Sequence, residues 1–324
     1  MSKYLVTGGA GYVGGVVGAH LLEAGHEVVV LDDLSTGFRA GVPVGAVFVQ
    51  GRVQDAGEVL DGSFDGVLHF AASSQVGDSV VDPEKYWRNN VAGSLELVSA
   101  MRGAGVRTLV FSSTAAVYGE PEAVPIAESA RTSPTNTYGA TKLAVDHLIS
   151  GEAAAHGLAA VSLRYFNVAG AYGAYGERHD PESHLIPLVF QAALGQREHV
   201  AVYGDDYPTP DGTCVRDYIH VADLARAHLL ALDAARPGEH LICNLGNGSG
   251  FSVREVIDAV RRVTGREIPV VTAGRRAGDP AVLVASAERA HRALGWTPSR
   301  PDLDQIVADA WKFTLDRATE RDAG

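Results

Sequence analysis

The chain has 324 residues, 46% of them hydrophobic and 20% charged, with a formal net charge of −12. The length suits about two domains, and the composition excludes a disordered chain. The acidic surplus argues against general nucleic-acid or membrane-surface binding, so an anionic ligand needs a local cluster of positive groups.

Cys214 and Cys243 form neither a metal-type spacing nor a disulfide framework, which makes a reducing cytoplasm the expected compartment. No run approaches the roughly 18 apolar residues of a membrane span. A strand pattern begins at Lys3, leaving no room for a signal peptide.

Short β-branched runs fall at 4–7, 27–31, 46–50, 66–70, 108–112 and 160–164, nearly unbroken, as strands buried on both faces read. Helical windows lie between them, among them 14–24, 86–103 and 138–156. This alternation predicts an α/β fold, a doubly wound parallel (Rossmann) sheet, over 1–168. From 169 the pattern becomes irregular. Residues 170–182 read as a long loop, with turns at 208–212 and 246–248. A smaller α/β substrate lobe is expected over 169–324, with a return to the first domain near 214–245.

Thr7-Gly8-Gly9-Ala10-Gly11-Tyr12-Val13-Gly14 follows the first strand and opens the first helix. Gly8, Gly11 and Gly14 permit a tight turn, close approach to a pyrophosphate and helix–sheet packing, and the helix N-terminus offers free N–H groups. Asp32 ends the second strand, where a carboxylate binds two ribose hydroxyls. That favours NAD over its 2′-phosphorylated form.

Tyr138-Gly139-Ala140-Thr141-Lys142 places a phenol and an ammonium on one helix face. The cation is expected to lower the phenol's pKa and make Tyr138 a base. Upstream, Phe111 to Gly119 reads as a buried strand ending in hydroxyl residues, so Thr114 can bond the same substrate oxygen.

With these residues the sequence resembles the extended short-chain dehydrogenase/reductases, and within them the UDP-glucose (UDP-galactose) 4-epimerases. The resemblance runs from Tyr4 to about Trp311. It rests on TGGAGYVG, HFAA (69–72), NNVAGS (89–94), FSSTAAVYG, YGATK, RYFNVAGA (164–171), SHLIP (183–187), YGDDYPTPDGT (203–213) and VRDYIHVADLA (215–225). It implies NAD that is held and not consumed, and a 4-keto sugar that turns over before hydride returns. Tyr138, Thr114 and Lys142 would be catalytic.

The resemblance assigns to the cofactor Gly8, Gly11, Tyr12, Val13, Gly14, Asp32, Asp33, Arg52, Val53, Phe70, Ala71, Ala72, Asn89, Ser112, Tyr138, Lys142 and Tyr165. To the UDP-sugar it assigns Ser74, Thr114, Tyr138, Asn167, His184, Leu185, Tyr203, Arg216, Arg276 and Asp279. Tyr203 would flank the uracil, Arg216 and Arg276 would hold the diphosphate with two-pronged guanidinium contacts, and His184 would reach a phosphate. Asp217 and His220 read as structural. No metal spacing appears among the histidines, and no metal is expected.

Three positions depart from the family pattern. Arg52 stands where an acid usually meets the adenine amine. Ser73 and Ser74 replace a bulkier segment at the sugar. Leu283 occupies a gate position that is Tyr or small elsewhere. These bear on the sugar: UDP-glucose/UDP-galactose comes first, UDP-glucuronate second, UDP-N-acetylglucosamine third. Ala115 and Ala116 replace the acid–base pair of sugar-nucleotide dehydratases. A non-catalytic NAD-binding redox sensor would not need the Tyr, Lys and nucleotide-sugar motifs. Pairing through the helices at 86–103 and 138–156 predicts a homodimer, helped by the small residues Ala153–Ala155.

Overall fold

The computed structural model describes residues 1–276 and 279–322. Six parallel strands form in chain order: β1 (Lys3–Thr7), β2 (Glu27–Asp32), β3 (Val47–Gln50), β4 (Gly66–His69), β5 (Thr108–Thr114) and β6 (Ala159–Tyr165). A seventh strand, His240–Leu245, joins them. The sheet order is His240–Leu245, β6, β5, β4, β1, β2, β3, and all pairs run parallel. The expected parallel α/β sheet is therefore present. The order reverses at β1, which puts the ligand crevice at the carboxyl ends of β1 and β4.

Alternation along the strands feeds two cores. Val6, Val30, Leu68, Val110 and Leu163 face helix α1 (Tyr12–Glu23) and the helix Val221–Ala234. Leu5, Leu31, Val67, Leu109 and Phe111 face the other way, toward Leu97, Met101, Val145 and Ile149. Each such side chain stabilises the fold by roughly 1.5–3 kcal/mol when fully buried. A third core joins the helices Leu185–Ala193, Val253–Thr264 and Leu303–Asp322.

Some elements differ from the sequence pattern. β3 is an edge strand, and Val47 is 61% exposed there, because only one neighbour covers it. The single helix expected at 86–103 is broken into Pro83–Tyr86, a π-helical turn Trp87–Ala92, and Gly93–Ala104. The stretch 170–182 contains a small antiparallel pair, Ala171–Tyr172 with Tyr175–Gly176, before it becomes loop.

Candidate active site

A cleft of about 1250 Å³ runs from the α1 N-terminus past Tyr138 to Arg216 and Arg276. Every sequence-predicted site residue lines it except Arg52. Arg52 is exposed, and its backbone N–H donates to Asp55 at 2.9 Å. The departure from the family pattern at this position thus leaves the guanidinium outside the cleft wall.

The dinucleotide end is shaped by glycine. Gly8 has φ +74°, and a Cβ there would stand 2.6 Å from the Ala71 nitrogen. A Cβ on Gly14 would stand 2.4 Å from the Gly8 carbonyl oxygen. The chain after β1 therefore packs against the chain after β4 with no room for side chains. Gly11 caps α1 without a side-chain hydrogen bond, which leaves its first N–H groups for a phosphate. Asp32 accepts from the Ala10 and Leu34 N–H groups at 3.0 and 2.9 Å. Burial raises its pKa, and those two bonds oppose the rise. A carboxylate offers about four acceptor positions, so two remain for a diol. Asp33, Val53, Phe70, Ala71 and Ala72 complete this wall. These features fit a bound dinucleotide.

The helix Thr137–His156 carries the catalytic pair. Asn136 caps it by accepting the Gly139 N–H at 2.8 Å. This fixes the first turn, and with it Tyr138. Burial raises the Tyr138 pKa, and a hydrogen bond with Thr114 opposes it. Lys142 is 2% exposed, and its Nζ donates to the Ser112 carbonyl at 2.8 Å. Burial pushes Lys142 down to about 7, and the Asp146 charge opposes that.

The Lys142 Nζ lies 6.0 Å from the centre of the Tyr138 ring. The net shift of the phenol is upward, where the Tyr138–Lys142 spacing leads one to expect a lowering. The ammonium is turned to the Ser112 carbonyl, and burial weakens its own charge. Ser112 also bonds the Tyr165 hydroxyl, linking the strand that holds Lys142 to another cleft residue. Asn89, in the π-helical turn, donates to the Ser73 hydroxyl at 3.3 Å. Its neighbour Asn90 accepts the Ser73 N–H at 2.8 Å and donates to Thr141 at 3.0 Å. The serine segment at the sugar end is thereby tied to the catalytic helix. Periodicity could not disclose Asn90, because the π turn resets the register.

At the far end, the Arg276 guanidinium lies 3.9 Å from the centre of the Tyr203 ring. Arg216 faces Asp279 at 3.6 Å, and it donates to the Val215 and Pro280 carbonyls, both at 2.9 Å. Asn167, Ser74 and Leu185 line the space between the two ends, and Leu283 sits in register with Arg216. Asp217 is fully buried and accepts backbone N–H groups from Asn247, Gly248 and Ala285. His220 bonds Asp309 at 3.0 Å.

His184 precedes the helix Leu185–Ala193. Its Nδ1 stands 2.5 Å from Glu177, a carboxylate that also meets His179 at 3.1 Å. Burial would lower the His184 pKa, but bonds to Glu177 and Glu182 outweigh it and raise it. Burial would likewise raise Glu177, yet the two imidazoles bring it down to about 2. Of these four residues, the family resemblance marks His184 alone. The signal that could have found the others is the run Glu177-x-His179-x-x-Glu182-x-His184, which alternates acid and imidazole.

Residues 4–246 match the model of the NAD dependent epimerase/dehydratase family. A UDP-glucose 4-epimerase of Streptomyces lividans is 71% identical, over 96% of this chain and 95% of that protein. A UDP-glucose 4-epimerase crystal structure is 47% identical, with a TM-score of 0.94 over 98% of both chains. The Brucella ovis UDP-glucose 4-epimerase in complex with NAD is 46% identical, with a TM-score of 0.92 over 96% of this chain and 98% of that one. A parallel sheet reversing at β1, a glycine-walled cleft and these likenesses lead to one conclusion: the chain belongs to the NAD dependent epimerase/dehydratase family.

Proposed function

We propose that the chain is an NAD-dependent UDP-sugar 4-epimerase that interconverts UDP-glucose and UDP-galactose. The observation that carries this reading is one continuous cleft. It joins a dinucleotide wall, the Tyr138–Thr114–Lys142 group and a distal arginine pair. The 71% likeness to a UDP-glucose 4-epimerase supports the sugar as well as the reaction.

When bound, NAD supplies a reversible hydride acceptor. Gly8, Gly11, Gly14 and the α1 N-terminus would hold its diphosphate, and Asp32 its adenine ribose. Tyr138, in its phenolate form, would take the proton of the sugar 4-hydroxyl as C4 is oxidised, and Thr114 would bond the same oxygen. Tyr138 returns that proton once the 4-keto sugar has turned over and been reduced on its other face. Lys142, its Nζ fixed by the Ser112 carbonyl, brings an amine that is protonated below about pH 7 near the reacting centre. Arg216 and Arg276 hold the diphosphate, and Tyr203 flanks the uracil. The nucleotide is anchored at one end while the hexose is left free to turn.

Ala115 and Ala116 line the cleft beside Thr114. They place no acid or base next to the reacting carbon, which favours inversion over water elimination.

The cytoplasm is the proposed location, and two buried free cysteines suit it. No helix among the described residues is long and apolar enough to cross a membrane. A homodimer is the proposed assembly. Trp87 and Leu95, on the proposed pairing segment, are 45% and 46% exposed. Pairing would cover these apolar side chains.

Separate incubation with UDP-glucose, UDP-glucuronate and UDP-N-acetylglucosamine tests the proposal. The highest kcat/KM is expected for UDP-glucose, with UDP-galactose as product. No turnover of any of the three would overturn it.

A further inference from the structure

We propose that Glu177, His179, Glu182 and His184 form a binding site for one transition-metal dication of the zinc class, set in the wall of the cleft. Each residue offers one ligand atom, and these atoms all lie within 4.8 Å of one another. Both imidazole Nδ1 atoms converge on the same Glu177 oxygen, at 3.1 and 2.5 Å, and the His184 Nδ1 is 3.5 Å from Glu182. Zinc ligands about 2.0–2.2 Å from a tetrahedral centre stand about 3.4 Å apart. The separations of 2.5, 3.1 and 3.5 Å and the outer limit of 4.8 Å bracket that spacing, so side-chain rotations would bring the four atoms around an ion.

The donor chemistry selects the ion. Two carboxylates balance a dication, and two imidazoles suit zinc over magnesium or calcium, which prefer all-oxygen shells. The carboxylates are sheltered: the Glu177 and Glu182 side chains are only 12% and 9% exposed. Glu182 also accepts the backbone N–H groups of Ser183 and His184 at 2.7 and 2.9 Å. Such outer contacts orient a ligating carboxylate. The intervening Arg178 guanidinium lies over the Phe313 ring at 5.3 Å.

Glu177 follows the short strand Tyr175–Gly176, and His184 caps the helix Leu185–Ala193. An ion held between them would pin the loop that walls the cleft. His184 is the one residue this site shares with the expected UDP-sugar set, and zinc binding is read without turnover, so either reading can fail alone.

The test uses the full chain after removal of metal with a chelator. Zinc is titrated in competition with a chromophoric zinc indicator, and thermal unfolding is followed with and without zinc. One zinc per chain with micromolar or tighter affinity is expected, together with a raised Tm that magnesium does not reproduce. His179→Ala should weaken that site at least tenfold and remove the Tm shift. Glu182→Gln, which keeps an acceptor for the Ser183 and His184 N–H groups, should do the same with the fold intact. Absence of a stoichiometric zinc site, equal zinc affinity in both variants, or an equal response to magnesium would each overturn the proposal.

Discussion

Asp146 lies one helical turn beyond Lys142 and carries Arg164 at 2.8 Å, the two partners being 3% and 4% exposed. A buried ion pair therefore sits directly behind the candidate catalytic lysine. Ser113, on β5, also donates to Asp146, at 3.3 Å. Asp146→Asn leaves the Arg164 charge without its partner, which costs about 3–5 kcal/mol in buried sites. Urea unfolding should show a loss of that order. A loss below about 1 kcal/mol would mean that water reaches the pair.

Lys142 also gives folding stability a pH dependence. Its folded pKa is about 7, against a reference of 10.5. The unfolded chain thus binds more protons than the folded one between those values, and stability from this group rises as pH increases through 7. The slope is at most about 1.4 kcal/mol per pH unit. Lys142→Met should remove that rise between pH 7 and 9, while other titrating groups contribute equally to both proteins. Parallel stability curves would sink the assignment.

Tyr138→Phe removes the proposed base and little volume. General acid–base groups contribute about 10²–10⁴ in rate. We expect kcat for UDP-glucose to fall by that factor while NAD stays with the protein through gel filtration. Near-normal turnover would show that another group takes the proton.

Gly14→Ala tests the dinucleotide wall. The new Cβ would fall 2.4 Å from a backbone oxygen that has no freedom to rotate away. The purified variant should retain much less NAD than the parent, read from nicotinamide released on denaturation. Undiminished NAD would show that the Gly8 turn yields.

Arg276→Ala should raise the KM for UDP-glucose at least tenfold and change kcat little, because the distal end binds alike in ground and transition states. A fall in kcat alone would place Arg276 closer to the chemistry.

Much of the fold was legible because β-branched runs such as 27–31 and 108–112 read as strands covered on both faces, and the edge strand β3 departs from that cover. The glycine turn and Asp32 were legible because few residues meet their backbone and charge demands. What sequence could not convey was direction. Tyr138 and Lys142 share a helix face, yet the Lys142 Nζ is claimed by the Ser112 carbonyl, a contact made by a strand distant in sequence. The π turn at Trp87–Ala92 likewise breaks a pattern that reads as one helix. The Glu177–His184 group is assembled by a loop whose course no periodicity announces.

The strand His240–Leu245 pairs with β6 through six residues, although a long stretch of chain separates them. During synthesis, the edge of β6 stays open until the ribosome has passed Leu245. At about 5–20 residues per second that interval lasts several seconds. The nascent protein thus shows an unprotected sheet margin long enough for a chaperone to engage it, or for a neighbouring nascent chain to pair with it.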